Sequence, residues 1–483
     1  MHIHILGICG TFMGSLALLA RDLGHMVTGS DANVYPPMST QLENAGITIM
    51  QGYAANHLQP SPDLVIVGNA MKRGIEAVEY MLNARIPYIS GPQFLAEQVL
   101  QYRHVLAVAG THGKTTTTTM LAWILQYAGI DTGFLIGGVP LVDTEDARLK
   151  NAFAHSSYLG SNTSADQEGY FVIEADEYDS AFFDKRSKFV HYRPTTAILN
   201  NLEYDHADIF PDLAAIQTQF HHMIRMIPSN GQIIMPANTE SLEHTLQKGV
   251  WTPVWRTALT DDLPTDGKDA EWQAELVSAD GSVFHVKHEG KKGNEQATVT
   301  WTMSGRHSVY NGLVAIAAAY NVGVSVEKAC EALSNFAGIK RRMELVGTIA
   351  KANGNIEVYD DFAHHPTAIE TTLDGAKKRF GSRKIWAIIE PRSNTMKLGT
   401  HQSLLAPSAS IADEVIWYQP ANLDWSIANA IGNTENQQVM QSTDDIIRYV
   451  TDNVGQDDAI IIMSNGGFEG IHPRLVAALQ HQS

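Results

Sequence analysis

The sequence predicts an α/β protein built from three consecutive domains, and two features of the chain support this. Its 483 residues exceed what one hydrophobic core normally organises, since a domain usually holds about 100 to 200 residues. Short apolar runs alternate with amphipathic, helix-like stretches, a pattern typical of parallel sheets covered by helices. The pattern restarts twice, so we expect domains at residues 1–103, 104–338 and 339–483.

The first domain is expected to contain strands at His4–Gly7, Val27–Asp31, Leu64–Gly68 and Ile86–Ser90. The first of these strands runs into the glycine turn GICGTFMG, and Asp31 ends the second. This arrangement resembles a dinucleotide-binding turn, in which a pyrophosphate lies at the helix N-terminus and the acidic residue holds a ribose. The glycine spacing departs from G-x-G-x-x-G, which disfavours a nicotinamide dehydrogenase and leaves the pyrophosphate of another nucleotide as a candidate ligand.

The second domain carries the strongest motif, Gly110-Thr111-His112-Gly113-Lys114-Thr115, directly after the apolar strand Val105–Ala109. Backbone amides in such a loop cradle phosphates, Lys114 reaches the terminal phosphates, and Thr115 holds magnesium. Val108 stands where the first glycine of the general pattern is expected. A purely structural glycine turn is the alternative, which the preceding strand and the Lys-Thr pair disfavour.

Two polar segments follow the next predicted strands of this domain. Glu174–Asp179 follows the strand Tyr170–Ile173, and Asn200–His206 follows Ala197–Leu199. Carboxylates at the carboxyl end of a strand, in the same sheet as a P-loop, complete magnesium sites, although acidic clusters are more often solvated loops. His206 either ligates a second cation, orients a phosphate, or is an ordinary hydrogen-bonded residue.

The remaining segments differ in pattern. Polar and apolar residues alternate from Glu271 to Met303, which predicts antiparallel strands late in the second domain. The third domain is expected to have strands at Ile356–Tyr359, Ile385–Glu390, Val415–Tyr418 and Ile460–Met463. Polar or glycine residues end each strand, where open α/β sheets bind ligands.

Composition excludes several classes of function. Lysine plus arginine (34) minus aspartate plus glutamate (52) gives a net charge of −18, which disfavours nucleic acid and anionic lipid as partners. Cys9 and Cys330 are too few for a disulfide framework or a cysteine metal site. The sequence contains no signal peptide and no apolar run long enough to span a membrane, so we expect a cytoplasmic enzyme.

Taken together and in this order, seven motifs resemble those of the Mur ligase family of peptidoglycan synthesis. They are GICGTFMG, GTHGKTTT, EADEYDS, NNLEYDH, SGRHSVYN, FAGIKRRME and DDFAHHP, and they extend over the whole chain. The resemblance implies an N-terminal Rossmann-like domain that binds a UDP-sugar and a central α/β domain of the P-loop ATPase type. It also implies a C-terminal Rossmann-like domain that binds the incoming amine and closes over the site.

The resemblance also implies roles for individual residues. Catalysis is expected at Lys114, Glu174, His206, Arg341 or Arg342, and His364. ATP is expected at Gly110, Thr111, His112, Gly113, Lys114, Thr115, Thr116, His307, Asn311 and Asp361, and two magnesium ions at Thr115, Glu174 and His206. The UDP-sugar is expected at Gly7, Gly10, Thr11, Met13, Gly14 and Asp31, and the amine at Arg392, Ser393 and Asn394.

Two departures from the usual family pattern are informative. Ser308 stands where these ligases usually have an asparagine near the adenine. The segment Ala207–Ile227 has no lysine, whereas several Mur ligases carry a carbamylated lysine there. This absence is typical of the alanine-adding and recycling branches, and Glu390–Lys397 and Ser464–Phe468 resemble the recycling branch.

The implied reaction forms an amide bond at the expense of ATP. The lactyl carboxylate of UDP-N-acetylmuramate attacks the γ-phosphate to give an acyl phosphate, and an amine then displaces phosphate. The expected amine is the tripeptide L-alanyl-γ-D-glutamyl-meso-diaminopimelate, with free L-alanine as the alternative. A nucleotide-binding regulator without catalysis is the alternative from another class, and the sequence does not predict an oligomeric state.

Overall fold

In a computed structural model the protein forms three α/β units joined in series. The structure describes residues 1–34, 38–138, 140–161, 169–207, 209–263, 270–290, 293–392, 394–421 and 423–481. Within those ranges the strands form three large sheets and one two-stranded hairpin. No helix among them combines the length and apolar character that crossing a bilayer requires.

The N-terminal unit is a parallel sheet of order β3-β2-β1-β4-β5 covered by helices. Its elements are β1 (His2–Leu6), α1 (Thr11–Asp22), β2 (Met26–Asp31), α2 (Met38–Asn44), β3 (Thr48–Gln51), β4 (Leu64–Val67), α3 (Glu76–Asn83), β5 (Tyr88–Ser90) and α4 (Gly91–Gln98). Chain order reverses on either side of β1, so the turn from β1 into α1 lies at a topological switch point. Ligands of open α/β sheets bind at such points.

The central unit contains a ten-stranded sheet of order β17-β16-β15-β14-β13-β12-β6-β9-β7-β8. Its strands are β6 (Arg103–Ala109), β7 (Gly133–Leu135), β8 (Ser157–Tyr158), β9 (Gly169–Glu174), β12 (Thr196–Leu199), β13 (Gln232–Pro236), β14 (Val254–Leu259), β15 (Trp272–Leu276), β16 (Val283–Gly290) and β17 (Gly293–Thr300), while β10 (Asp179–Ala181) and β11 (Asp184–Ser187) form the hairpin. Its helices are α5 (Lys114–Tyr127), α6 (Ala147–Ala152), α7 (Phe189–Tyr192), α8 (Leu213–Ile224), α9 (Glu240–Leu246), α10 (Arg306–Asn321) and α11 (Val326–Ser334). The three last strands pair antiparallel and extend the parallel part of the sheet, as their alternating pattern predicts.

The C-terminal unit is a six-stranded sheet of order β18-β19-β23-β20-β21-β22. Its strands are β18 (Glu344–Lys351), β19 (Gly354–Asp361), β20 (Ile385–Ile389), β21 (Glu414–Tyr418), β22 (Gln437–Met440) and β23 (Ala459–Met463). Its helices are α12 (Pro366–Phe380), α13 (Asn394–Lys397), α14 (Leu405–Ser408), α15 (Ile427–Ile431), α16 (Thr443–Asn453) and α17 (Ile471–His481). Only β18 runs antiparallel to its neighbour, so the carboxyl ends of the other five strands lie along one edge.

The C-terminal unit packs directly on the central unit. The side chain of Thr395 donates a hydrogen bond to Asp205 Oδ1 at 2.7 Å, and Arg379 donates to the Thr302 carbonyl at 3.1 Å. A Cβ on Gly375 would lie 2.8 Å from the Cα of Gly305, so only glycine permits this approach of α12 to the start of α10. The strand ends of the two sheets therefore face each other across a cleft.

Acid should destabilise the N-terminal unit through His4, which is buried in β1. Both ring nitrogens are hydrogen-bonded, to Thr28 at 2.9 Å and Ser30 at 2.8 Å. Burial, and then the nearby His2 and His57, lower the pKa of His4 to about 4. His4 binds a proton more readily in the unfolded chain than in the folded protein. Its contribution to the free energy of unfolding is therefore complete above a pH of about 6.5 and is lost as the pH falls towards 4.

We expect this residue to remove about 2 kcal/mol of unfolding free energy between pH 7 and pH 5. Thermal or urea unfolding of the wild type and of His4→Gln at both pH values measures the difference. The variant should lose less stability on acidification than the wild type. His244→Gln, at an exposed histidine beside Glu240, should keep the wild-type pH dependence. Equal losses for wild type and His4→Gln would contradict the assignment.

Candidate active site

A cavity of about 1010 Å³ lies between the central and C-terminal units. Its walls come from the loop after β6, the carboxyl ends of β9 and β12, the start of α10, and the loops after β19 and β20. The cavity brings together most residues that the motifs single out on these two units, namely Thr111, His112, Gly113, Lys114, Thr115, Thr116, Glu174, His206, His307, Asn311, Arg342, Asp361, His364 and Arg392. One site therefore receives side chains from sequence segments nearly three hundred residues apart.

The loop after β6 has the form of a phosphate-binding loop. Gly113 caps α5 with φ +77°, and a Cβ there would lie 2.6 Å from Asn200 Nδ2 and from Asn311 Oδ1, so the position requires glycine. The His112 amide donates to Asn201 Oδ1 at 2.7 Å, and Asn200 donates to the His112 carbonyl at 3.0 Å. These side chains hold the loop open at the N-terminus of α5, where backbone amides favour anions.

Lys114 is folded back into this loop. Its ammonium donates to the Gly110 carbonyl at 2.5 Å and lies 3.4 Å from Glu177 Oε2. Burial lowers the pKa of Lys114, but the charges of Glu177, Glu174 and Asp176 outweigh burial and raise the pKa. The side chain is therefore a largely enclosed cation at the point where an anion would enter.

Glu174 and Thr115 supply the hard oxygen atoms that magnesium prefers. The Thr115 hydroxyl donates to Glu174 Oε2 at 2.9 Å, and the Gly137 amide donates to the same oxygen at 2.9 Å. Burial raises the pKa of Glu174, against the opposing charge of Lys114. A hydroxyl and a partly buried carboxylate in contact fit a magnesium ion, which would take the place of the hydrogen bond between them.

His206 lies beside Glu177 rather than alone at the end of its strand. Its Nε2 is 2.9 Å from Glu177 Oε1, and its Nδ1 is 2.9 Å from the Tyr178 hydroxyl. Burial lowers the pKa of His206, yet the hydrogen bond and charge of Glu177 raise it overall. Burial raises the pKa of Glu177, but Lys114 and His206 together hold it down at about 2.

Glu177 is thus a site residue that the sequence analysis named only as part of an acidic segment. It is 3 % exposed and contacts both Lys114 and His206. A buried carboxylate between two cationic groups fixes their positions and charges. The signal in the sequence was its place in EADEYDS after β9, but nothing in that segment distinguishes it from Asp176 or Asp179.

The two candidate arginines have different environments. Arg341 donates to the carbonyls of Ser464 at 2.6 Å and Gly466 at 2.7 Å, and it pairs with Asp360 at 3.3 Å. Arg342 faces the cavity, with its guanidinium 4.8 Å from the centre of the Phe362 ring. Burial lowers the pKa of Arg342, opposed by the charges of Asp361 and Glu174. Arg341 therefore secures the C-terminal unit, and Arg342 is the arginine directed at the central unit.

The predicted adenine-side residues His307 and Asn311 have different environments in α10. Burial lowers the pKa of His307 to about 4, and its Nδ1 has no hydrogen-bond partner among the residues that the structure describes. Asn311 instead accepts a hydrogen bond from Asn200 at 2.8 Å and so supports the phosphate loop. Ser308 donates to the carbonyl of Ser304, which lies just before α10, at 2.8 Å.

On the opposite wall, Asp361 and His364 shape the loop after β19. Asp361 accepts hydrogen bonds from the amides of Met343 and Ala363, each at 2.8 Å. His364 Nδ1 lies 3.0 Å from the Phe362 carbonyl, and burial lowers the His364 pKa to about 4. Both groups line the cavity while they fix the backbone around it.

Of the three residues predicted to bind the amine, the structure describes the side chain of Arg392 alone. Arg392 lines the cavity with a half-exposed side chain, 3.9 Å from Glu390 Oε1. Ser393 lies outside the described residues. Asn394 begins α13, and its side chain also lies outside them.

A second cavity of about 390 Å³ lies at the turn from β1 into α1. Its walls include the predicted residues Gly7, Gly10, Thr11, Met13 and Asp31, and two residues of the central unit, Ser180 and Lys188. Gly14 is placed differently from its prediction: it packs inside the unit, where a Cβ would meet the Met38 side chain. We therefore assign Gly14 to helix packing and not to ligand contact.

One ion pair connects the two cavities. Lys188 lines the second cavity, Asp176 lines the first, and their charged groups are 3.0 Å apart. The Lys188 ammonium also lies 5.1 Å from the centre of the Phe12 ring at the start of α1. The sequence analysis did not single out Lys188, because a lysine in DKRSKF has no motif around it.

Comparison with known families assigns all three units. Residues 2–103 match the "Mur ligase family, catalytic domain", residues 108–319 the "Mur ligase middle domain", and residues 341–466 the "Mur ligase, glutamate ligase domain".

Two relatives and one solved structure indicate the branch. The UDP-N-acetylmuramate–L-alanyl-γ-D-glutamyl-meso-2,6-diaminoheptandioate ligase of Escherichia coli K12 is 51% identical over 99% of this chain and 98% of its own length. The UDP-N-acetylmuramate–L-alanine ligase of Desulfitobacterium hafniense is 30% identical over 99% of each chain. The crystal structure of a murein peptide ligase from Psychrobacter arcticus is 66% identical, covers 99% of each chain and superposes with a TM-score of 0.77.

Proposed function

This chain belongs to the Mur ligase family, and we propose that it joins UDP-N-acetylmuramate to the tripeptide L-alanyl-γ-D-glutamyl-meso-diaminopimelate. It is an ATP-dependent ligase. The observation that carries the choice of substrate is the identity of 51% to a ligase of that name, against 30% to an alanine ligase over the same share of the chain. The reaction fits cell-wall peptide recycling, and its use of ATP and a UDP-sugar supports the proposal of a cytoplasmic location.

The proposed chemistry needs no protein nucleophile. A carboxylate oxygen of the lactyl group forms a bond to the γ-phosphorus as the bond to the β,γ-bridging oxygen of ATP breaks, giving an acyl phosphate and ADP. The amine nitrogen then bonds to the acyl carbon, inorganic phosphate leaves, and the amine gives up a proton. Catalysis consists mainly of positioning and of stabilising phosphate charge.

We assign the phosphates of ATP to the loop Gly110–Thr115. The amides at the start of α5 would bind the phosphate oxygens, and Lys114 would leave the Gly110 carbonyl to reach the β- and γ-phosphates. Magnesium, held by Thr115 and Glu174, would neutralise phosphate charge, with a second ion proposed near Glu174 and His206. Arg342 would approach the γ-phosphate from the C-terminal unit.

The adenosine part would extend towards the start of α10. His307 keeps an unpartnered ring nitrogen in the described structure, which suits a contact to the base. Asp361 retains lone pairs beyond its two backbone hydrogen bonds and is proposed to hold the ribose. Thr111, His112 and Thr116 complete the cavity wall around the nucleotide.

The two organic substrates would reach the phosphates from different sides. The UDP part is assigned to the second cavity, with its pyrophosphate at Gly10 and Thr11 and its ribose near Asp31. The amine substrate is assigned to the side of Arg392, whose planar guanidinium suits a carboxylate. His364 would contact the amine end of that substrate inside the first cavity.

Lys188→Met should weaken binding of the UDP-sugar more than binding of ATP. The substitution removes the only lysine among the described residues of the second cavity wall, and with it an attraction for substrate anions. We expect the KM for UDP-N-acetylmuramate to rise about tenfold, equivalent to roughly 1.4 kcal/mol, with the KM for ATP within about twofold. Steady-state kinetics with each substrate varied in turn measures both values.

Lys185→Met is the matched control, because Lys185 is an exposed lysine of the same hairpin region that pairs with Asp179. It should leave both KM values unchanged. An equal rise in both KM values for Lys188→Met would contradict a specific role in the second cavity.

Phosphate release distinguishes the candidate reactions. The wild-type enzyme, ATP, magnesium and UDP-N-acetylmuramate are combined with either the tripeptide or L-alanine. We expect the tripeptide to support turnover with a kcat/KM at least about a hundredfold above that of alanine, which is roughly 3 kcal/mol of discrimination. Turnover with alanine alone would replace the proposed substrate, and no substrate-dependent ADP with either amine would favour a non-catalytic regulator.

A further inference from the structure

A cluster of metal-ligating side chains lies across the cleft, apart from the magnesium residues. His112 belongs to the phosphate loop, Glu203 follows β12, and His365 immediately precedes α12. One ligand atom from each of the three lies within 4.8 Å of the other two. The first two residues belong to the central unit and the third to the C-terminal unit, so the cluster exists only where the units meet.

One pair of these ligand atoms already has the spacing of a tetrahedral metal site. Bonds of about 2.0 to 2.1 Å from a metal to nitrogen or oxygen place neighbouring ligand atoms about 3.3 to 3.5 Å apart. His112 Nε2 and Glu203 Oε2 are already 3.3 Å apart. The rings of His112 and His365 have centroids 4.6 Å apart, so small ring rotations complete the set.

His365 supplies the second, independent observation. His365 is only 5 % exposed. Its Nε2 has no hydrogen-bond partner in the described part of the chain. Ligation through Nε2 shifts the ring proton to Nδ1 and gives up a long 3.3 Å hydrogen bond from the Thr367 amide. The net contribution of such a bond is only about 1 kcal/mol, well below that of a metal bond.

The surroundings already orient the carboxylate ligand. The Thr367 hydroxyl donates to Glu203 Oε2 at 2.9 Å, in the manner of the outer hydrogen bonds that fix metal ligands. The ring of His401 lies 4.7 Å from that of His365, and its Nε2 is likewise unpartnered among described residues. Two imidazoles and one carboxylate favour a first-row transition metal over magnesium, which prefers oxygen.

We propose that His112, Glu203 and His365 bind a transition-metal ion such as Zn²⁺ and that this ion ties the C-terminal unit to the phosphate loop. The bound ion would hold the cleft shut. Substrate entry and product release require such clefts to open, so occupancy would slow turnover. The site would thus act as an inhibitory metal switch, separate from the magnesium that the reaction itself uses.

Cobalt provides a direct test, because Co²⁺ replaces Zn²⁺ and absorbs visible light when bound. We expect the full-length, nucleotide-free protein to show saturable cobalt absorption at about one ion per chain. His365→Asn should weaken cobalt binding at least tenfold, while asparagine still accepts a hydrogen bond at the helix N-cap. His285→Asn, at a histidine on β16 that contacts Thr298, should bind cobalt as the wild type does.

Thermal unfolding provides a second readout. A metal that binds only the folded protein raises its melting temperature, and the rise should be present in the wild type and in His285→Asn but lost in His365→Asn. If His365→Asn folds poorly, Glu203→Gln replaces it with the same expected losses. Absence of saturable binding in the wild type, or equal binding in wild type and cluster variants, would overturn the site.

These measurements use neither substrate nor nucleotide. Failure of the metal site would therefore leave the proposed ligase reaction untouched. Conversely, loss of the proposed reaction would leave cobalt binding as it stands.

Discussion

Replacing Lys114 with methionine is expected to reduce turnover by at least about 10² to 10³-fold, because the proposed phosphate site loses the largely enclosed cation next to its loop. Methionine keeps most of the volume of the side chain, so the loop retains its packing. Glu177 remains paired with His206 at 2.9 Å in the variant, which limits the cost of the lost charge. Phosphate release under saturating ATP, magnesium and both organic substrates measures the effect.

Binding of the UDP-sugar to the same variant should remain within about threefold of the wild type, since most of the second cavity wall belongs to the N-terminal unit and Lys114 does not line it. Isothermal titration with UDP-N-acetylmuramate tests this separation. Lys150→Met, at an exposed lysine that pairs with Glu145, should match the wild type in both assays. Loss of sugar binding together with turnover in the Lys114 variant would contradict separate sites for the two nucleotides.

Arg342→Met is expected to lower kcat by about 10² to 10³-fold, because the guanidinium lines the cavity across the cleft from the proposed phosphate site. Methionine cannot supply either the charge or the paired N–H groups of arginine. ATP binding to the open enzyme should change much less than kcat, since the other phosphate contacts belong to the central unit. Single-turnover formation of ADP measures the chemical step without product release.

Arg341→Met is the adjacent comparison. Its guanidinium holds the carbonyls of Ser464 and Gly466, so we expect a loss of roughly 2 to 4 kcal/mol in stability and a smaller loss in kcat. Denaturant unfolding and the same kinetic assay separate the two effects. A large fall in kcat for Arg341→Met, with Arg342→Met near wild type, would reverse the assignment of the two arginines.

The sequence predicted the α/β class and the strands that surround the sites, because buried parallel strands form continuous apolar runs. The strand before the P-loop was expected at Val105–Ala109 and extends over Arg103–Ala109. Strands at the sheet edges were missed, including β3 (Thr48–Gln51) and β22 (Gln437–Met440). Each of these strands pairs with only one neighbouring strand at the edge of its sheet. Edge strands can therefore contain polar residues, and these two lack the continuous apolar run that marks a central strand.

The sequence predicted a site residue where its type suits a ligand or a metal and it also stands directly after a strand. Lys114, Thr115 and Glu174 meet that condition, and the structure brings them into one cavity. Glu177 follows a strand but cannot be told from Asp176 or Asp179 by sequence, and Lys188 has no motif around it. The contacts that make both residues important appear only in the structure. The choice between neighbours such as Arg341 and Arg342 likewise depends on side-chain direction, which no local pattern fixes.

The most direct test of the account is a crystal structure of the enzyme with a non-hydrolysable ATP analogue and Mn²⁺ in place of magnesium. Anomalous scattering locates the manganese independently of the rest of the structure. We expect the phosphates on the amides of Gly110–Thr115 and a manganese ion bonded to Thr115 Oγ1 and Glu174, with His206 nearby. Phosphates bound elsewhere, or manganese away from Thr115 and Glu174, would contradict the account.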